Sequence, residues 1–369
     1  LHGLCTYGFT GRGLLHLLCG TNVYASSLIA SDNFANGTGK VPTRATGTVY
    51  TDADNGWGDG ANYIAGGSTT VANGQTAGVD AHYGTERTFD YYSSVHGRNG
   101  IDGAGKAAYN RVHYSSKYDN AFWSDSCFCM TYGDGKTFKT LTSLDVAGHE
   151  MTHGVTANTA KLVYSGESGG LNESMSDIHG TMVEFYARGG SGSTIGDTGG
   201  NFFIGDQLSA KPLRYMDKPS KDGKSPDAWK SGVGNMDVHY SSGPMNRAFY
   251  FLSQGASSTS TSDSYSSYLP AGMKGIGNDK AARIAFRALA VKMTLGFNTR
   301  NHDNDLRSGH CRAQPAPETH VLSGGEVQPH QRRRPRRGVE EGAGGGEPAF
   351  VQQQRRQRLG VAAHVDPAE

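Results

Sequence analysis

A histidine motif constrains the fold of this chain more than any other feature of its sequence. His149 and His153 flank Glu150 in the pattern His-Glu-x-x-His, and Glu173 follows after nineteen further residues. Residues four apart lie on the same face of a helix, so both imidazoles can reach one metal ion. Two histidines and a carboxylate form a zinc-binding set that leaves a fourth position open. The motif therefore predicts zinc held between two helices, with Glu150 beside it.

The residues around Glu173 make the zinc interpretation more specific. Glu173 lies between Asn172 and Asp177, and Asp177 is one helical turn further along. The alternative is that these are ordinary surface histidines and carboxylates on two helices. That alternative requires all of these spacings to coincide by chance. No third histidine follows His153 at the spacing of the longer zinc-peptidase motif.

Several motifs occur together in an order that resembles the thermolysin family of secreted zinc endopeptidases. The resemblance extends from about Val79 to Thr294. It implies a secreted, monomeric hydrolase that acts on protein or peptide substrates and cleaves on the amino side of bulky hydrophobic residues. Besides the zinc motif, it is carried by residues 120–123, 163–164, 169–173, 213–214 and 237–243.

The resemblance also implies the catalytic roles. Glu150 would be the general base acting on a zinc-activated water. Tyr164 and His239 would donate hydrogen bonds to the oxyanion, with Asp237 orienting His239. By themselves, Tyr164 would be read as a packing residue and His239 as an ordinary histidine.

The family pattern supplies partners for the zinc-binding histidines. It implies that Asp177 accepts the other ring N–H of His149 and that Asn172 supports His153 similarly. Such partners fix the tautomer and the orientation of each imidazole.

Substrate-binding residues follow from the same resemblance. Asn120 and Ala121 would pair with the peptide backbone as an added strand, and Arg214 would hold a substrate carbonyl. The walls of the primary pocket, for which core packing is an equal alternative, would be Phe138, Val146 and Leu213.

Calcium is the second cofactor that the resemblance implies. Asp145, Glu184 and Asp197 would supply the hard oxygen ligands that this ion prefers. Gly192 and Thr194 occupy positions where some relatives have acidic residues, which favours one calcium ion over a pair.

The pattern along the chain predicts an α+β fold. We expect a β-rich N-terminal domain over residues 35–143 and a mainly helical C-terminal domain over 144–294, with the zinc helix at the cleft between them. Helices are predicted at 79–95, 144–159 and 172–188, from Pro244 onward, and from a cap at Asn278 or Asp279 to about Met293, and strands at 111–114 and 121–123.

The two ends of the chain differ from its middle. We interpret residues 1–34 as a leader or pro-segment remnant. After Asp305 the chain has no Lys, Ile, Met, Tyr, Asn or Trp, which favours a frameshift product over residues 295–369, with incomplete C-terminal helices. A native disordered tail is the alternative. A frameshift would make a non-catalytic or poorly folded zinc-binding product the alternative function.

Composition limits the remaining function classes. The net charge is +1, so neither nucleic acid nor a membrane is predicted as a partner, although residues 332–337 are basic. Five cysteines are present, and Cys127 and Cys129 form either a local disulfide or two unpaired thiols. No apolar run is long enough to span a membrane.

Overall fold

The computed structural model describes residues 15–16 and 56–294, so most of the predicted leader and all of the predicted tail lie outside the described residues. The first strand, β1 (Leu15–His16), pairs antiparallel with β2 (Gly56–Trp57). No helix in the described part of the chain is both long and apolar enough to cross a membrane.

A long helix opens the main described region. Helix α1 (Ala72–Asp90) continues into a π-helical turn, Tyr91–Val95. The prediction placed its start at Val79, seven residues later. Helix propensity hid the true start because Gly74 and Gly78 disfavour helices. Packing overrides that preference, since a Cβ on Gly74 would lie 2.4 Å from the backbone of Thr69.

A three-stranded sheet follows, formed by β3 (Tyr109–Arg111), β4 (Ala121–Ser124) and β5 (Cys129–Tyr132). The strand order is β3-β5-β4, with β4 antiparallel and β3 parallel to the central strand. The strand predicted at 111–114 is wrong in its bounds. It ends at Arg111 because His113 has a φ of 57°, which no strand residue adopts.

The cysteine pair lies at the tip of the β4–β5 hairpin. Cys127 and Cys129 are joined by a disulfide bond across Phe128. The sequence left open a local disulfide or two unpaired thiols, and the structure contains the disulfide.

The two helices that carry His149, His153 and Glu173 pack closely where they cross. They are α2 (Leu144–Ala157) and α3 (Gly166–Gly189). A Cβ on Gly180 would lie 2.5 Å from the carbonyl oxygen of Asp145, and one on Gly148 would lie 2.9 Å from the Cα of Gly180. The absence of side chains at this crossing lets the two backbones approach each other.

The main hydrophobic core lies around these helices. Met151 and Val155 of α2 and Leu171, Met175 and Ile178 of α3 are fully buried. Each side chain of this size contributes about 1.5–3 kcal/mol when it is removed from water. Helix α1 packs against α2, so the core connects the sheet-bearing region to the helical one.

Short elements complete the helical region. The predicted helix at Pro244 is confirmed, with proline in its first turn. The next predicted helix begins after Gly277, and the φ of 87° at this glycine ends the preceding extended segment. The predicted cap is therefore wrong, because Asn278 is the first helical residue rather than the cap. These elements are β6 (Phe203–Ile204), β7 (Arg214–Tyr215), α4 (Val238–Ser241), α5 (Gly243–Gln254), β8 (Gly255–Ala256), β9 (Met273–Lys274) and α6 (Asn278–Arg287), with a π-helical turn at Ala288–Lys292 and 3-10 turns at Pro219–Asp222 and Val233–Asn235.

The α+β class is confirmed in this coarse form. Before Leu144 the described residues contain one long helix and a small sheet, so the β-rich character expected of residues 35–143 stays a prediction for the part outside the described residues. From Leu144 to Thr294 the described residues are mainly helical, as predicted.

Candidate metal centre

Three side chains from α2 and α3 converge on one point. The Nε2 atoms of His149 and His153 are 3.1 Å apart. The carboxylate oxygens of Glu173 lie 3.4 Å from the first of these nitrogens and 3.3 Å from the second. Tetrahedral zinc with ligand bonds of roughly 2.0–2.2 Å separates its ligand atoms by roughly 3.3–3.6 Å. The three donors therefore have the spacing that a zinc ion requires.

An unsatisfied atom supports the same conclusion. Oε2 of Glu173 is buried and accepts no hydrogen bond from the described residues. A buried carboxylate oxygen without a partner is costly, and a cation would satisfy it. The donor set and this orphaned oxygen both fit zinc.

The second nitrogen of each imidazole is held by a partner on α3. Nδ1 of His149 donates to Asp177 over 2.8 Å. Nδ1 of His153 donates to Oδ1 of Asn172 over 2.7 Å, while the amide of Asn172 donates to the carbonyl of Leu162. These bonds fix both tautomers so that Nε2 carries the lone pair that faces the metal position.

Buried charges of both signs set the pKa values at the centre. Burial by itself raises the pKa of Asp177, but Arg214 and His149 outweigh it and hold that pKa well below its ordinary value. Burial lowers the pKa of His149, yet Asp177 and Glu173 together raise it to about 10. Because a ligand imidazole must be neutral, zinc binding competes with protonation of His149.

Glu150 faces the outer strand of the sheet. Its Oε2 accepts a hydrogen bond from the backbone N–H of Trp123, over 3.2 Å. Trp123 lies on β4, which is an outer strand of the described sheet. The strand and the motif helix are thus connected at the carboxylate that the sequence predicts as general base.

A second group of side chains contacts Glu173. Tyr164 donates a short hydrogen bond to Oε1 of Glu173, and its hydroxyl is 3.4 Å from Nε2 of His239. Nδ1 of His239 donates to Asp237 over 2.7 Å. The charge of Glu173 raises the pKa of His239, and the bond to Asp237 adds to this effect against burial. Burial and Glu173 raise the pKa of Tyr164, so its hydroxyl stays protonated.

Arg214 lies within the same network. Its guanidinium donates to both oxygens of Asp177, over 2.8 and 2.5 Å, and lies 4.0 Å from Glu173. Asn246 on α5 also donates to Asp177, over 2.8 Å, and accepts from Ser174. The sequence reasoning missed Asn246 because its partners are about 70 residues away in the chain and no local spacing marks it.

The predicted substrate-binding residues occupy two places. Asn120 and Ala121 lie at the start of β4, where the Asn120 side chain accepts from the N–H of Ala121. Val146 is buried on α2, whereas Phe138 and Leu213 are partly buried against the core.

The three predicted calcium ligands differ in their surroundings. Asp145 and Glu184 are buried, and burial together with Asp145 and Asp206 raises the pKa of Glu184 to about 7. Asp197 instead accepts from the backbone N–H of Asn278, at the start of α6. Asp206 was missed by the sequence reasoning, and one oxygen each of Asp206 and Glu184 is buried without a hydrogen-bond partner among the described residues.

Comparison with known proteins connects this geometry to a family. The family model described as thermolysin metallopeptidase, catalytic domain, matches residues 21–157. The model described as thermolysin metallopeptidase, alpha-helical domain, matches residues 160–306. The chain belongs to the thermolysin metallopeptidase family. The boundary between the two matched regions falls after α2, so that α2 and α3 are matched by different models.

Individual thermolysin-family proteins show how far the similarity extends. A transglutaminase-activating metalloprotease from Streptomyces mobaraensis is 53% identical over 261 residues, which is 67% of this chain and 31% of that protein. A thermolysin from Alicyclobacillus acidocaldarius subsp. acidocaldarius is 40% identical over 246 residues, 66% of this chain and 41% of that protein. The chain thus spans less than half the length of these curated relatives.

A solved structure shares the thermolysin-family fold. The precursor of protealysin, a metalloproteinase from Serratia proteamaculans, superposes with a TM-score of 0.50 at 24% identity. The match covers 78% of this chain and 84% of that one. At this identity the likeness concerns the fold alone.

Proposed function

We propose that this chain is a zinc-dependent endopeptidase. The observation that carries the proposal is the convergence of His149, His153 and Glu173 at zinc-ligand spacing, with Glu150 next to His149 on the same helix. Membership of a metallopeptidase family supports the same reaction class.

The catalytic steps follow from the side chains around the centre. Zinc held by these ligands would activate water and polarise the scissile carbonyl. Glu150 takes a proton from the attacking water and delivers it to the leaving amine. Tyr164 and His239 donate hydrogen bonds to the oxygen on which negative charge develops. Asp237 holds the His239 ring through Nδ1, which leaves Nε2 directed toward that oxygen.

The substrate lies along β4 in this proposal. An extended peptide adds to the outer strand through the backbone at Asn120 and Ala121. Arg214, fixed by Asp177, holds a carbonyl near the primary pocket. Phe138, Val146 and Leu213 form apolar walls there, which favours a bulky hydrophobic residue on the amine side of the cleaved bond.

A calcium ion is part of the proposal. We assign Asp145, Glu184 and Asp197 as protein ligands and add Asp206, whose charge helps to raise the pKa of Glu184. Buried, unpartnered oxygens and a raised pKa are what a missing cation leaves behind. Calcium should therefore raise the melting temperature, and Glu184→Gln should abolish that rise in a thermal unfolding assay.

The remaining properties are also proposals. Relatives of this family and the disulfide Cys127–Cys129 support a secreted protein, because disulfides persist in oxidising compartments. We propose protein or peptide substrates, a monomeric state and no nucleic-acid partner.

Product mapping tests the proposed function. A mixture of peptides is incubated with the zinc-loaded protein, with and without a chelator, and the new termini are identified by mass spectrometry. The proposal expects chelator-sensitive cleavage and products that begin with Phe, Leu or Ile. Stoichiometric zinc without any cleavage would instead support the non-catalytic zinc-binding product.

A further inference from the structure

The Cys127–Cys129 disulfide is connected to Glu150 through a short series of contacts. Phe128, between the two cysteines, packs edge-on against the Trp123 ring with 5.0 Å between centroids. The backbone N–H of Trp123 then donates to Glu150. The bridge is therefore connected to the proposed general base through two contacts, Phe128 with Trp123 and Trp123 with Glu150.

The bridge holds Phe128 in an uncommon conformation. Its φ of 52° is in the left-handed region, which a bulky residue rarely adopts without external constraint. A cysteine on each side, joined to the other, restrains this residue from both directions. Lys106 also lies over the Phe128 ring, with its Nζ 4.3 Å from the ring centroid.

The register of the hairpin extends this restraint to β4. Cys129 pairs with Ser124, the last residue of β4, and the next pair joins Met130 to Trp123. The bridge is therefore adjacent to the strand position whose N–H reaches Glu150. A loop of this length removes little entropy from the unfolded chain, so its main effect is local rather than on global stability.

We propose that the Cys127–Cys129 disulfide is a redox-sensitive positioning element for Glu150. In the bonded state it keeps Phe128 against Trp123 and the Trp123 N–H on the carboxylate. In the reduced state the hairpin tip relaxes, the Trp123 N–H moves away, and proton transfer by Glu150 slows. This inference rests on the proposed peptidase function.

The redox step uses a small dithiol as reductant. One thiolate of the dithiol attacks Cys127, which is partly exposed, whereas Cys129 is fully buried. The S–S bond breaks and Cys129 leaves as a thiolate that takes up a proton. The second thiolate of the reductant then displaces Cys127, so the protein gains two thiols and the reductant becomes a disulfide.

Steady-state kinetics and hydrogen exchange test the proposal together. The zinc-loaded protein is compared before reduction, after removal of the dithiol under anaerobic conditions, and after reoxidation. We expect kcat to fall about tenfold on reduction while KM stays within about twofold, and reoxidation to restore kcat. Amide exchange should increase in residues 121–132 and stay unchanged in α2 and α3.

A Cys127→Ser/Cys129→Ser variant is the matched control, because dithiols also bind zinc. This variant should have the low kcat permanently and should not respond to reductant. If the reductant lowers kcat equally in the wild type and in the variant, the effect comes from zinc removal and the proposal is overturned. An unchanged kcat with unchanged exchange over 121–132 in the reduced protein would overturn it as well. If the bonded protein cleaves no peptide, the proposed function fails, and the exchange data alone decide whether the bridge positions Trp123.

Discussion

Asp177 holds three other side chains of the metal centre at once. It accepts from His149, from Arg214 and from Asn246, and it is fully buried. A buried carboxylate with this many donors orients its partners while their charges keep it ionised. The precise placement of one zinc ligand therefore depends on a residue that does not itself bind the metal.

Replacing this carboxylate should weaken zinc binding. Asp177→Asn removes the charge that orients His149, so we expect zinc affinity to fall about 10–100-fold. Competition with a chromogenic chelator measures the change. Asp237→Asn is the matched control, since Asp237 contacts His239 and no proposed zinc ligand, and its zinc affinity should stay near that of the wild type. Equal affinities for both variants would contradict the role given to Asp177.

Spacing determined how much of this centre the sequence could predict. His149 and His153 are four residues apart on α2, and Glu173 and Asp177 are four apart on α3, so local geometry alone places each pair on one helix face. Asn246 reaches Asp177, and Asp206 reaches the predicted calcium ligands, only through tertiary packing. The α5 helix and the loop after β6 carry them there, and no short-range pattern records that approach.

At the scale of elements, the crossing of α2 and α3 determines the spacing of the zinc ligands. His149 and His153 come from one helix and Glu173 from the other, so the distance between the helices sets the distance between ligands. Gly148 and Gly180 allow this close approach. Close packing against α4 accompanies the start of α3 at Gly166, six residues before the predicted start at Asn172. Gly169 and Gly170 disfavour helices, yet a side chain there would collide with Val238 or Ser241.

Adding one methyl group at the crossing should separate the helices. Gly180→Ala gains about 1 kcal/mol in helix propensity but overpacks a backbone contact, so we expect a net loss of about 1–3 kcal/mol in unfolding free energy. Zinc affinity should fall as well. Urea denaturation and chelator competition measure both effects.

Ser176→Ala on the same helix is the control for this substitution. Its hydroxyl is buried without a hydrogen-bond partner among the described residues, so its removal should be neutral or stabilising. A Gly180→Ala protein as stable as Ser176→Ala, with full zinc affinity, would show that the crossing tolerates more distance than the structure implies.

At the scale of the whole molecule, a buried ring cluster joins α1, α3 and α6. His179 of α3 accepts from the hydroxyl of Tyr91, and its ring lies 5.8 Å from that of His96 and 6.0 Å from that of Phe286. Burial lowers the pKa of His96 to about 3 and that of His179 well below its ordinary value. Both histidines are therefore neutral in the folded protein, while the unfolded chain takes up protons near pH 6.5.

This cluster predicts a loss of stability in acid. Because the unfolded state binds more protons, the unfolding free energy contributed by each histidine falls as the pH drops below 6.5, by up to about 1.4 kcal/mol per pH unit. His179→Phe removes one of these protonation sites. Its stability relative to the wild type should rise steadily from pH 6.5 to pH 4.5 in urea titrations of the chelator-treated proteins. If the unfolding free energies of the two proteins changed with pH in parallel, His179 would not be a group that takes up a proton on unfolding.

The sequence predicted the α+β class, the two zinc helices and their order. It did not predict the ring cluster, because Tyr91, His179 and Phe286 come from three distant segments and form no periodic pattern. It also did not predict that Asp197 accepts from the backbone N–H of Asn278, the first residue of α6. Local chemistry was therefore more predictable than long-range packing.

We propose that Glu150 transfers protons beside a zinc ion that it does not bind. Single-turnover peptide hydrolysis by Glu150→Gln tests this role, together with the zinc content of the variant by elemental analysis. We expect one zinc per chain and a rate reduced about 10²–10⁴-fold, because glutamine keeps the hydrogen-bonding shape but accepts no proton. A Glu150→Gln protein that binds zinc and cleaves peptide at the wild-type rate would contradict it.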